Sequence, residues 1–246
     1  MLDVCCIENH PHGMKSAFDF AFGIASALAL AACTNDTAST TQTSKTHLKT
    51  PPKLVRSSSL SAIKSGEEVR VCAGQIQPGW VILDVLTDYT ACGGGSDNIW
   101  IIKNLNGMPL GSQVTCCGRS IVPAGWVVVG TSTDFTRCGR NAGSNNLRIL
   151  KNVSGGSGQQ IRVCAGQLPA GWVIMDVVTD LTACGGNSDN MWVIKNLNGM
   201  PLGSQVTCCA RSTVPAGWVV VGTSTDFTRC GRNSGSNNLK VLRKVS

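Results

Sequence analysis

Histidine is nearly missing from this chain. Three occur in 246 residues, at His10, His12 and His47, and none lies in the long region that follows. A serine or cysteine nucleophile of the Ser-His-Asp or Cys-His kind needs an imidazole beside it as base, so both mechanisms lack their base where the chain is long enough to fold around one. Tyrosine occurs once, aromatic residues make up 5% and charged residues 14%. There is no phosphate-binding loop, and the Gly-rich stretches recur after cysteines instead of opening a βαβ unit, which gives nucleotide chemistry little support. No RNP motif, zinc module or recognition helix supports specific nucleic-acid binding. Neither a cofactor nor a metal is implied, and beyond residue 66 no long amphipathic helical pattern appears.

What is abundant is cysteine and glycine, with 13 and 28 residues, against 6 tryptophans. With histidine absent, so many thiols require either an all-thiolate metal site or disulfides, and disulfides are the simpler reading for a chain that folds outside the cytoplasm.

The stretch from Phe18 to Ala32 is rich in Ala, Leu, Phe and Ile, follows Lys15, and gives way to a Thr/Ser-rich segment. It reads as an export h-region. At 15 residues with Asp19 inside, it is short of the roughly 20 apolar residues that a spanning helix needs. An ordinary cleaved signal and a buried apolar helix are the alternatives. The first 13 residues carry two acids and do not resemble a basic n-region, whereas a chain starting at Met14 places Lys15 correctly. Leu30-Ala31-Ala32-Cys33 resembles the lipobox of bacterial lipoproteins. That resemblance implies a leader over residues 1–32, a lipid-bearing Cys33, membrane as a partner through that lipid, and, with Thr34 next to the cysteine, the outer membrane of a two-membrane cell. Cys5 and Cys6 then lie outside the mature product. Removal of the leader takes away one base and three acids, so the net charge rises from +7 to +9. Residues 33–66, rich in Thr, Ser, Lys and Pro, read as a flexible tether.

The remainder is a duplication with an offset of 92 residues: between Val71 and Val153, 67 of 83 positions recur identically in Val163 to Val245. Each half divides again. Cys72, Cys117, Cys164 and Cys209 each lead to a tryptophan, namely Trp80, Trp126, Trp172 and Trp218, and then, 12 residues on, to Cys92, Cys138, Cys184 or Cys230. Four related units result, paired as residues 67–158 and 159–246, a periodicity that signals a repeated supersecondary unit. GWVVVGTSTDF and LRILKNV are β-branched runs bounded by Gly, Pro and Asn turns, so the fold class is all-β with four disulfide-stapled units in two similar halves. The predicted bridges join the first and last cysteine of each unit, each stabilising by about 3 kcal/mol in the chain-entropy picture. Cys116 and Cys208 occupy equivalent positions; a further bridge between the halves, an exchange of partners with their neighbours, and a reactive or metal-binding CC pair are the readings open to them.

Carboxylate catalysis needs only two well-placed acids, and Asp84, Asp88, Asp97 and Asp134 are candidates for a hydrolase. The recurrence of Thr-Asp at Asp88, Asp134, Asp180 and Asp226 favours turn capping instead, ahead of calcium or ligand contact. The four unit tryptophans read as core. Trp100 and Trp192 differ, because the internal alignment sets Arg148 and Lys240 opposite them, which argues against deep burial. With Asp97, Asn98, Asp189 and Asn190 nearby, they form two candidate ligand sites, the structural alternative being a contact between units. The expectation is a non-enzymatic, lipid-anchored cell-envelope binding protein that takes a glycan at duplicated aromatic and polar sites. A structural or adhesion module binding another envelope protein is the alternative, and a disulfide-fixed protease inhibitor ranks third.

Overall fold

The computed structural model describes residues 52–232 and 234–246. The leader, Met14, Cys5, Cys6, Cys33 and the tether as far as Pro51 lie outside the described residues.

Twelve strands follow one another among the described residues. They are β1 (Glu68–Cys72), β2 (Trp80–Leu86), β3 (Ile99–Asn104), β4 (Gln113–Cys117), β5 (Trp126–Ser132), β6 (Leu147–Asn152), β7 (Gln160–Cys164), β8 (Trp172–Val178), β9 (Met191–Asn196), β10 (Gln205–Cys209), β11 (Trp218–Ser224) and β12 (Leu239–Lys244). They form four antiparallel three-stranded sheets of one design, in which the last strand of each unit lies in the middle, as in β1-β3-β2. Each long strand starts at its tryptophan and carries a β-bulge just before Asp84, Gly130, Asp176 or Gly222, where Leu83, Val129, Met175 or Val221 is left out of the pairing. The bridges Cys72–Cys92, Cys117–Cys138, Cys164–Cys184 and Cys209–Cys230 tie the end of each first strand to the loop after the long one. These strands are too short to bury a core alone, so each sheet packs on the next: β2 on β4, β5 on β7, β8 on β10.

The packing alternates, and the alternation creates the two halves. Between the first and second units, the Ser120 hydroxyl accepts the Ile82 amide and donates to the Ile82 carbonyl, Arg137 donates to the Leu83 carbonyl, and the Cys138 amide donates to Asp84 at 2.8 Å. Ser212, Arg229 and Asp176 repeat this set between the third and fourth. Between the second and third, the residues at the corresponding positions are Gln167, Ala183 and Gly130, which carry neither the hydroxyl, the guanidinium nor the carboxylate. There the backbone of the short helix α1 (Leu181–Cys184) comes close to β5 instead: a Cβ on Gly130 would stand 3.5 Å from the Ala183 carbonyl.

Two expectations are corrected. The tether does not extend to residue 66: from Lys53 the chain packs on the first unit. Arg70 donates its amide to the Lys53 carbonyl, Val55 donates to the Arg70 carbonyl, and Leu60, in a short 3-10 turn over Ser57–Ala62, is fully buried beside Val69, Val71, Trp80 and Ile102. Cys116 and Cys208 do not form an extra bridge. Both are free and buried, in the separate cores of the first and second halves. Their register partners, Arg148 and Lys240, match the partners Trp100 and Trp192 of Val71 and Val163, so each thiol fills a valine's place.

Candidate functional site

Trp100 lies on the middle strand β3 between Val71 and Val85. Its alternation from the buried Ile99 brings it to the rim of the core, where it is half-buried against the first unit's apolar cluster. Beside it runs an open groove of about 550 Å³ between the first and second units, lined by Ile76, Trp80, Trp100, Arg119, Ile121 and Pro123 among others. Ile121 is 79% exposed. Trp192 occupies the equivalent place on β9, packed against the apolar cluster that contains Trp172, but its half has Thr213 at the position of Ile121. Arg148 and Lys240 hold the same register position in the second and fourth units and donate to the carbonyls of Ser120 and Ser212. The positions that alternate between tryptophan and a cation are thus partly exposed.

The polar residues grouped with these tryptophans are engaged elsewhere. Asn98 accepts the Asp88 amide and donates to the carbonyls of Asp88 and Gly93, closing its own loop; Asn190 does the same with Asp180 and Gly185. Asp97, at φ 58°, turns its carboxylate to the Arg140 amide of the second unit, and Asp189 accepts from Arg232 in the same way. The approach is close enough that a Cβ on Gly139, itself at φ +92°, would meet the Asp97 carboxylate at 2.7 Å. These four side chains fasten loops and do not join the tryptophans around one cleft.

The other aspartates also take backbone amides. Asp84 accepts from Val85 and Cys138. Asp88, Asp134 and Asp226 accept the amide and the hydroxyl of the threonine two residues on. That hydroxyl above all, then the amide, holds each of the three carboxyls below the usual carboxylate range. Asp180 instead caps α1, accepting from Thr182 and Ala183. The described residues contain no metal-ligating cluster of three or more His, Cys, Asp or Glu, and no helix long and apolar enough to cross a membrane.

Sequence reasoning missed Ile76, Arg119 and Ile121. The one available signal was Ile121 against Thr213, an apolar residue in a turn at a position where the otherwise near-identical halves differ. No protein-family model matches this chain, and no curated protein or solved structure matches it significantly.

Proposed function

We propose that this is a non-catalytic binding module of the cell envelope, anchored through lipid on Cys33, which seats an apolar stretch of a protein partner in the groove beside Trp100. The observation that carries this reading is the commitment of Asp97 and Asn98 to loop amides and carbonyls. A sugar site needs free polar groups to fix hydroxyls, whereas the groove offers Ile76, Trp100, Ile121 and Pro123, the surface that apolar side chains of a polypeptide bury. A large aromatic at the centre of such a patch is the usual anchor of binding energy.

The test runs a peptide library and a glycan array in parallel on the mature protein, with the Trp100→Ala and Ile121→Asp variants. Peptide binding that falls at least tenfold in both variants, at unchanged melting temperature, supports the reading. Glycan binding that depends on Trp100 overturns it in favour of sugar recognition. Incorporation of labelled palmitate, lost in Cys33→Ser, tests the anchor.

A further inference from the structure

The first and fourth units differ in how their outer apolar faces are covered. At the head, the apolar face of the first unit, Val71, Trp80 and Ile102, is covered by Leu60 with Val55 and Ile63 from the segment Lys53–Ile63. In the third unit the same face, Val163, Trp172 and Ile194, is covered by Val127 and Val153 of the second. The N-terminal segment therefore stands in for a preceding unit. Among the described residues, the tail of the fourth unit has no such cover. Val219 and Val245 are 41% and 54% exposed, while their counterparts Val127 and Val153 are buried against the third unit.

The exposed tail and the occupied one are the same surface: Trp218 to Arg232 repeats Trp126 to Arg140 without a substitution. Tails are also of two kinds. Those of the first and third units carry Asp84 or Asp176 and receive a head with serine and arginine; those of the second and fourth carry Gly130 or Gly222. The glycine tail of the second unit receives a head with Ala183, and the first unit has Ala91 at that position. The fourth unit's tail thus fits one head in this chain that is not already taken by a unit, that of the first.

We propose that the tail of the fourth unit binds the first unit of a second copy in the geometry that already joins the second unit to the third, with Lys53–Ile63 as the competing occupant that must leave. The contact is heterologous, so it propagates head to tail, as a ring where the rotation per copy closes and as an open chain where it does not. Part of the head is uncovered in advance: Ala91 and Gly93 are exposed, whereas Ala183 is half-buried and Gly185 buried at the internal junction. The segment Leu181–Cys184 is helical where it meets β5, and the matching Tyr89–Cys92 forms only a turn and a bend, with no repeat unit before it among the described residues.

Inside the chain, the Thr131 hydroxyl lies 3.5 Å from the Ala183 carbonyl, so Thr223 and Ala91 of two copies should meet. Full-length Thr223→Cys and Ala91→Cys chains are mixed under mild oxidation and the products mapped by peptide mass spectrometry. The expected result is a heterodimer, cross-linked between the thiols introduced at positions 223 and 91, at least tenfold above either homodimer. It rises several-fold when Leu60→Asp, or Leu60→Ala if the aspartate impairs folding, loosens the head, and is lost with Val219→Asp. A dominant homodimer of the Thr223→Cys chain, bridged through the introduced thiols, would mean pairing of two β11 edges and overturns the proposal. So does the absence of the heterodimer from a folded Leu60 variant.

Discussion

The position that follows the bulge decides how neighbouring units join. With aspartate at 84 or 176, the carboxylate accepts two amides, one from the next unit; with glycine at 130, the next unit's backbone comes close instead. Asp84→Ala leaves the Cys138 amide without its acceptor and should cost about 1–3 kcal/mol; Asp176→Ala should cost the same, both read by urea denaturation. The Cys116 thiol, pushed up to about 11 by burial, and the Cys208 thiol, raised for the same reason, should stay unlabelled by alkylating reagents at pH 8 and react only after unfolding, as peptide mapping would register. The depressed carboxyls of Asp88, Asp134 and Asp226 set a pH dependence. Their contribution is fully present above the unfolded value near 3.8 and is lost as pH falls through the lower folded values. The triple Asn variant should therefore be less stable than the parent at neutral pH and show a shallower decline in melting temperature below pH 4.

At the scale of elements, the four staples close loops of nearly equal length, 20 or 21 residues, so the entropic contribution of each is similar, about 3 kcal/mol. Their surroundings differ. Cys117–Cys138 is wholly inside the apolar cluster shared by the first two units, while Cys72–Cys92 is half-exposed. Replacing both cysteines of Cys117–Cys138 by alanine should lower the denaturation midpoint further than the same change at Cys72–Cys92, because only the former also opens a cavity. Strands, repeat and staples were legible in the sequence because each is written in local spacing: an alternating run, a recurring tryptophan, a cysteine 12 residues on. The partners of Asp97 were not legible, since the Arg140 amide it accepts lies 43 residues away and is brought near only by the stacking of sheets. The N-terminal cover escaped notice for another reason. Its hold depends on Leu60, one buried leucine in a Ser/Thr/Lys-rich stretch whose composition reads as solvent-exposed chain.

For the whole molecule, unlike junctions imply unequal cooperativity. In an array where each unit touches its neighbours, stability is a sum of unit and interface terms. The middle junction lacks the serine, arginine and aspartate that lock the outer two. Asp84→Ala should accordingly speed amide exchange throughout residues 68–152 and leave residues 160–244 within about twofold of their parent rates, which hydrogen-exchange mass spectrometry resolves by segment. The same alternation has a consequence for heredity. Unequal exchange between the two near-identical halves adds or removes 92 residues at a time, and each inserted pair brings a head that fits the tail before it and a tail that fits the head after it. The span of the array is therefore free to vary in whole steps with no compensating substitution, and the separation between the covered head of the first unit and the tail of the last becomes a trait that copy number alone can change.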